Sequence, residues 1–158
     1  MKRPVPPAVN IDDQPGHHIR RLHQISVGIF LQELGDIGIT PVQYAALQTV
    51  ANQPGIDQRT LARTIALDAS TTGGVLDRLE QRGALERRTA AQDRRARQLW
   101  LTDAGAQLLA GAVPAMLAAQ RQILAPLTER QQGEFMRLLR TVVDENNALS
   151  RAPSDTVK

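Results

Sequence analysis

The sequence has no cysteine, few aromatic residues and no apolar run long enough to cross a bilayer. Without cysteine, disulfides, thiolate metal sites and thiol-based redox switches are excluded. The longest apolar stretch, residues 108–119, is short and contains Gly111 and Pro114. The first ten residues lack the continuous apolar segment of a signal peptide. We therefore expect a soluble, cytoplasmic protein without a membrane partner.

Aromatic residues make up only 3% of the 158 residues, while 42% are hydrophobic, so the core must be aliphatic. This length suffices for one domain and is short for two. The net charge is +3, and lysine occurs only at Lys2 and Lys158, so nearly all of the positive charge is arginine. Arginine suits phosphate and guanine because its planar fork donates two parallel hydrogen bonds. A chain-wide codon preference explains the total equally well, so local clustering matters more.

Helical periodicity and capping signals predict six helices and one hairpin. Residues 1–15 contain four of the nine prolines and are predicted to form a loose arm, and residues 150–158 a frayed tail. Gly83 should adopt the left-handed conformation that ends the fourth helix. The predicted elements are a helix over about 16–34, a helix between Thr40 and Pro54, a short helix after Asp57, a helix ending at Arg82, strands at 84–89 and 97–101, and helices over about 103–125 and from Thr128 onwards.

The fourth helix begins with the hydroxyl residues Ser70, Thr71 and Thr72, which we expect to be exposed at its positive end. Such side chains can contact phosphates or base edges, although ordinary helix capping explains any one of them equally well. Gly73 and Gly74 follow, each unfavourable by roughly 1 kcal/mol relative to alanine. We expect one glycine to allow a packed helix and the other to allow DNA to come close, and Gly74 is a candidate DNA contact.

Arginines extend the candidate DNA-binding surface along the fourth helix and into the hairpin. Arg78 and Arg82 are four residues apart on one helix face and can reach phosphates, unless this face is simply a mixed, solvated surface. Between Arg87 and Arg97 the hairpin carries five arginines, at positions 87, 88, 94, 95 and 97, against one acid, Asp93. This density fits phosphate or minor-groove binding. The candidate DNA contacts in the hairpin are Arg88, Asp93, Arg94, Arg95 and Arg97.

The segment from Asp93 to Arg95, followed by Leu99, Leu101 and Thr102, resembles the wing pattern D-x-R-x-x-x-L-x-L-T of MarR-family transcriptional regulators. The resemblance extends over roughly residues 16–148. It implies that Arg95 enters the minor groove while Asp93 orients its guanidinium.

The predicted fold class is mainly α with a small β wing. A winged helix-turn-helix lobe covers about residues 40–102, and dimerisation helices cover about 16–35 and 102–149 within a single domain spanning 16–149. The resemblance implies a homodimer on an inverted-repeat operator in double-stranded DNA, because one short recognition helix reads few base pairs. A compact monomer that uses the same terminal helices as its core is the alternative.

Many MarR relatives bind small phenolic or aromatic carboxylates in a cleft between the dimer helices and the winged lobe. The candidate ligand-binding residues are His17, His18, Arg21 and His23 on the first helix and Tyr44 on the second. The plainer alternative places Tyr44 in the core and the histidines on the surface. His18 and His23 are five residues apart, roughly 140° around a helix, which is poor geometry for a metal. We expect no metal and no cofactor, and cysteine-based peroxide sensing is excluded.

These features predict a ligand-responsive repressor that a small aromatic carboxylate or phenolic effector releases from DNA. The alternative is a constitutive winged-helix DNA-binding protein without an effector. An enzyme is not expected, because the sequence shows no nucleophile–base motif, phosphate loop or cluster of metal ligands.

Overall fold

A computed structural model describes residues 8–89 and 97–155 of the chain. Its helices are α1 (Pro15–Leu34), α2 (Pro41–Asn52), α3 (Gln58–Thr64), α4 (Ala69–Gln81), α5 (Asp103–Leu124) and α6 (Glu129–Glu145), and its strands are β1 (Leu85–Thr89) and β2 (Arg97–Leu101). Short 3₁₀ turns precede α1, follow it and follow α6. The predicted helices and strands are confirmed, with their ends shifted by one to a few residues.

Side-chain caps start the helices where the sequence predicts them. Thr40 and Gln43 form a capping box at α2, and Thr128 forms another at α6. Asp57 caps α3 and Thr102 caps α5. Each capping side chain bonds a backbone group two or three residues later in the chain, which is why the sequence alone reveals the caps.

Two backbone features shape the helix-turn-helix formed by α3 and α4. The turn between them contains Ala66 with φ 52°, in the left-handed region. Gly83, after α4, has φ 72°, which confirms its predicted role as a helix stop. The chain then enters β1 directly.

Strands β1 and β2 pair antiparallel, with Leu85 opposite Leu101 and Thr89 opposite Arg97. A third segment joins the sheet through a single bridge between Asp57 and Gln98. Near it, the Gly55 N–H donates to Leu99 O, and the Leu99 N–H donates to Ile56 O, both at 2.9 Å. Sequence analysis missed this segment because it is too short to show an alternating pattern.

The core consists of two apolar clusters. The first fills the lobe built from α2, α3, α4 and the sheet, and its fully buried members are aliphatic, as composition predicts: Leu47, Leu61, Leu76, Leu79, Leu85 and Leu99. The second lies where α1 packs along α5 and includes Phe30, Leu34 and Met116. Residues of the α1–α2 connection, notably Ile39, join this second cluster.

Helix α6 contributes no buried residue within the described chain, although it is amphipathic. Its exposed apolar side chains are Leu138, Leu139, Val142 and Val143. No single helix in the described ranges is long and apolar enough to cross a membrane, although two bent helix pairs pass that test by length and composition.

Residues 8–15 and 150–155, the described parts of the predicted loose arm and frayed tail, form hydrogen bonds of their own. Asn10 caps a 3₁₀ turn over Ile11–Asp13 just before α1. At the other end, Asn147 exchanges hydrogen bonds with Ser154, and Asp155 pairs with Arg63 of α3. Residues 150–155 therefore fold back onto the helix-turn-helix.

Candidate nucleic-acid interface and ligand cleft

The exposed N-terminus of α4 is organised by Asp68. One carboxylate oxygen accepts the Thr71 N–H at 2.9 Å, and the other accepts the Thr71 hydroxyl at 2.6 Å. These hydrogen bonds, that from the hydroxyl first, lower the pKa of Asp68. Ser70 and Thr71 are exposed, so both remain available to a ligand, although Thr71 also serves the cap.

Acidification should weaken this cap, because the folded pKa of Asp68 lies below its ordinary value of 3.8. A carboxylate of this kind contributes stability that is fully present above its unfolded pKa and is lost as the pH falls through its folded pKa. Asparagine also caps helices but does not titrate. Below about pH 4, the urea midpoint of the wild-type protein should therefore fall more steeply than that of Asp68→Asn. Superimposable pH profiles would contradict this role.

The prediction that Thr72 contacts DNA is wrong. Its side chain is buried, with 0% exposure, and its hydroxyl donates to Asp68 O at 2.8 Å. It faces the lobe core because it lies three residues before Val75 and four before Leu76, both buried. The exposed hydroxyl surface is therefore reduced to Ser70 and Thr71.

The glycine pair on α4 has two different environments. A Cβ at Gly74 would meet no atom within 4 Å, and Gly74 is exposed. A Cβ at Gly73 would lie 3.5 Å from the Gln58 side-chain amide, an ordinary contact with α3. Gly74 therefore offers the open backbone that a close approach of DNA requires.

Arg78 and Arg82 do not act as a pair. Arg78 is exposed, and no hydrogen bond or ion pair to another described residue engages its guanidinium. Arg82 is also on the surface, but its guanidinium donates to Gly38 O at 2.6 Å and to Ile37 O at 2.7 Å. This geometry argues against the predicted phosphate contact of Arg82, because two of its five N–H donors are directed at the α1–α2 connection.

The arginines at the base of the hairpin fold back onto acids of the protein. Arg87 pairs with Asp77 at 2.7 Å and with Glu80, both on α4. Partial burial opposes its charge, but the two carboxylates outweigh this effect and raise the pKa of Arg87. Arg87 therefore fixes β1 to α4.

Arg88 pairs with Glu86, and its guanidinium carbon lies 4.9 Å from the ring centroid of Trp100. The charge of Arg88 is thus partly compensated within the protein. This argues against the prediction that its guanidinium is free to contact DNA. Arg97 is exposed at the start of β2. Asp93, Arg94 and Arg95 lie outside the described residues, so their roles stay predictions.

A cleft of about 570 Å³ opens between α1, α2 and α5. Its apolar walls include Phe30, Met116 and Ile123, and Tyr44 and His23 both line it. The Tyr44 hydroxyl donates to Gln48 Oε1 at 3.3 Å. The size and mostly apolar lining suit a small organic ligand.

The five predicted ligand residues do not share one cleft. Tyr44 and His23 line the 570 Å³ cleft, and the other three lie outside it. His18 and Arg21 line a different hollow, of about 600 Å³, beside Phe135 of α6. Neither they nor His17 contribute to the lining of the 570 Å³ cleft.

His17 packs edge-on against His18, with ring centroids 5.6 Å apart, and its Nε2 lies 4.0 Å from an Asp12 oxygen. Desolvation first, and then the charges of Arg20 and Arg21, lower the pKa of His17. In residues 8–89 and 97–155, no group of three or more His, Asp or Glu side chains could hold a metal ion.

Comparisons with known proteins agree with this architecture. The MarR family model matches residues 39–96. The transcriptional regulator HosA of Escherichia coli O127:H6 is 34% identical over 128 residues, covering 81% of this chain and 93% of HosA.

Two solved structures extend the similarity to the fold and confirm the predicted fold class. Bordetella bronchiseptica BpsR, whose DNA binding is regulated by 6-hydroxynicotinic acid, has a TM-score of 0.83 and 28% identity over 87% of this chain and 99% of BpsR. The transcriptional repressor CouR, bound to a 23-mer DNA duplex, has a TM-score of 0.80 and 25% identity over 84% of this chain and 94% of CouR. The chain therefore belongs to the MarR family of transcriptional regulators, which are DNA-binding proteins and not enzymes.

Proposed function

We propose that this regulator is a repressor that binds an inverted-repeat operator as a homodimer and is released when a small aromatic carboxylate enters the cleft between α1, α2 and α5. The observation that carries this proposal is the position of the cleft. Its walls come from the α1–α5 layer and from α2 of the winged lobe, with Tyr44 and His23 among them. A ligand there contacts both parts at once and can alter their spacing.

The DNA-facing part of the proposal rests on the exposed groups at the start of α4. Ser70, Thr71 and Gly74 are not covered by any described part of the chain, and Arg78 lies further along the helix. Helix N-termini favour phosphate, and hydroxyl groups can also contact base edges. The repressor CouR provides a DNA-bound relative of the same fold.

The homodimer accounts for the exposed apolar face of α6. Leu138, Leu139, Val142 and Val143 recur at helical spacing and remain 38–53% exposed in the single chain. Ile19 and Ile25 on α1 are also exposed. A second copy of the chain would cover these faces and place two recognition helices about one helical turn of DNA apart, roughly 34 Å.

The cleft favours a hydroxylated or heteroaromatic acid with one negative charge. Its lining contains no Arg or Lys, and His23 is its one basic side chain among the described residues. A protonated His23 can pair with a carboxylate, while Tyr44 and Gln48 can exchange hydrogen bonds with a ring hydroxyl. BpsR responds to 6-hydroxynicotinic acid, which has this chemistry.

A binding experiment separates this function from its alternative. A duplex would first be selected by the wild-type protein from a random-sequence library and then titrated in the presence of 6-hydroxynicotinate, salicylate or benzoate. We expect at least one aromatic acid to weaken duplex binding, and cyclohexanecarboxylate, which lacks the aromatic ring, to have a smaller effect. If the duplex binds tightly and none of the acids changes its affinity, the protein is a constitutive DNA-binding protein.

Replacing Tyr44 with phenylalanine should weaken the response to the active acid without changing duplex affinity. The substitution removes the hydroxyl that bonds Gln48 and keeps the ring in place. Loss of one such hydrogen bond to a ligand is worth about 1 kcal/mol, or roughly fivefold in the acid's Kd. Isothermal titration and gel shifts would measure both quantities. Tyr44 also packs against both apolar clusters, so a parallel loss of duplex affinity would instead show that its hydroxyl supports the fold rather than the ligand.

A further inference from the structure

We infer that Arg82 is a positioning residue that holds the recognition helix α4 against the α1–α2 connection, and that it does not contact DNA phosphate. Its two terminal nitrogens donate to the carbonyls of Ile37 and Gly38, at 2.7 and 2.6 Å. These short hydrogen bonds come from a charged donor, a class roughly twice as strong as bonds between neutral groups. They join residues 44 and 45 positions apart in the sequence.

The accepting carbonyls belong to a segment that packs against the second apolar cluster. Residues Gly35–Ile37 form a 3₁₀ turn directly after α1, and Gly38 follows in the left-handed conformation with φ 68°. Ile37 packs against the cluster around Phe30, and Ile39 is only 3% exposed. Arg82 is therefore anchored to a segment that the α1–α5 layer holds in place.

A second set of contacts fixes the same end of α4 to α5. The Thr102 hydroxyl donates to Gly83 O at 2.6 Å, and the Thr102 N–H donates to Ala84 O at 3.3 Å. The C-terminal end of α4 is thus tied to the α1–α2 connection through Arg82 and to the start of α5 through Thr102. Its N-terminal end, with Ser70 and Thr71, is exposed.

Arg82 and Thr102 thus restrain the orientation of α4 from its C-terminal end, in addition to the core contacts that Thr72, Val75 and Leu76 make along the helix. At 1.5 Å per residue, a helix of 13 residues is about 20 Å long, so a tilt of about 10° at the Arg82 end displaces the exposed N-terminal end by roughly 3 Å. Base-edge hydrogen bonds do not survive a displacement of that size. Loss of Arg82 should therefore reduce sequence-specific binding more than general attraction to DNA.

The test compares Arg82→Gln with Arg78→Gln, the same substitution one turn earlier on α4. Duplex affinity would be measured by fluorescence anisotropy over a series of salt concentrations, on the selected duplex and on a duplex of unrelated sequence. For Arg82→Gln we expect about a tenfold loss on the selected duplex, near wild-type binding to the unrelated one, and an unchanged salt slope. For Arg78→Gln we expect the slope to fall by about 0.9 per lost phosphate contact on both duplexes.

Arg82→Lys provides a second test, because lysine keeps the charge but lacks the two-pronged donor. A positioning role predicts a reduced ratio of selected to unrelated affinity in Arg82→Lys as well, and circular dichroism would show that the variants remain folded. General destabilisation would lower binding to both duplexes equally and leave that ratio unchanged, which would overturn the inference. A reduced salt slope in Arg82→Gln together with wild-type binding by Arg82→Lys would assign Arg82 to phosphate instead.

Discussion

Replacing Gly105 with alanine should lower the free energy of unfolding by about 3 kcal/mol or more. An ideal Cβ at this position would lie 1.8 Å from Ala84 O and 2.7 Å from Ala84 C. Both are backbone atoms, so no rotamer change can relieve the clash. Alanine is favoured over glycine within a helix by only about 1 kcal/mol, which is too little to offset it. The substitution should push α5 away from the start of β1.

Gly111→Ala is the matched control, because Gly111 lies in the same helix and a Cβ there would meet nothing within 4 Å. We expect this variant to be as stable as the wild-type protein or more stable by up to about 1 kcal/mol. Urea unfolding at one fixed protein concentration would measure both, since the stability of the proposed dimer would depend on concentration. Equal stability of Gly105→Ala and Gly111→Ala would show that α5 does not pack against Ala84 as described.

The double variant Leu138→Glu, Val142→Glu should convert the protein to a monomer and lower its affinity for an inverted-repeat duplex by about 100-fold. Both side chains are about half exposed on the apolar face of α6, at 48% and 53%. A carboxylate there would be buried without a partner if a second chain covered the face. Two linked half-site contacts would then become one. Sedimentation velocity and anisotropy titrations would measure mass and affinity.

Arg140→Glu is the control, because it changes the net charge by the same two units on the opposite side of α6. It should remain dimeric, with the same mass in sedimentation velocity as the wild-type protein. Since the variants are matched in charge, a difference between them reports on the apolar face rather than on repulsion from DNA. If the double variant remained a dimer, α6 would not form the proposed interface.

The sequence predicted most helix boundaries because their signals are local. Thr40 with Gln43, and Thr128 with Gln131, satisfy each other's backbone groups within a single turn. Gly83 ends α4 because glycine enters the left-handed region without steric conflict. The strands at 84–89 and 97–101 were likewise predicted from residues close together in the chain.

The roles of individual polar side chains were much less predictable. Thr72 resembles its neighbours in the sequence, yet it faces the core, because its direction depends on how α4 packs. Arg87 and Arg82 read as basic surface residues, yet each is engaged by groups on another element. The sequence gives a count of arginines and not the acids or carbonyls that lie beside each one.

By itself, the sequence determined the order of elements, the helix-turn-helix with its hairpin, the aliphatic core and the family, since each depends on residues close together in the chain. Only the tertiary structure decided that Tyr44 and His23 share a cleft while His17, His18 and Arg21 lie outside it. It also decided that Gly105 must lack a side chain. Distances between separate helices follow from how their faces pack, and no local pattern encodes them.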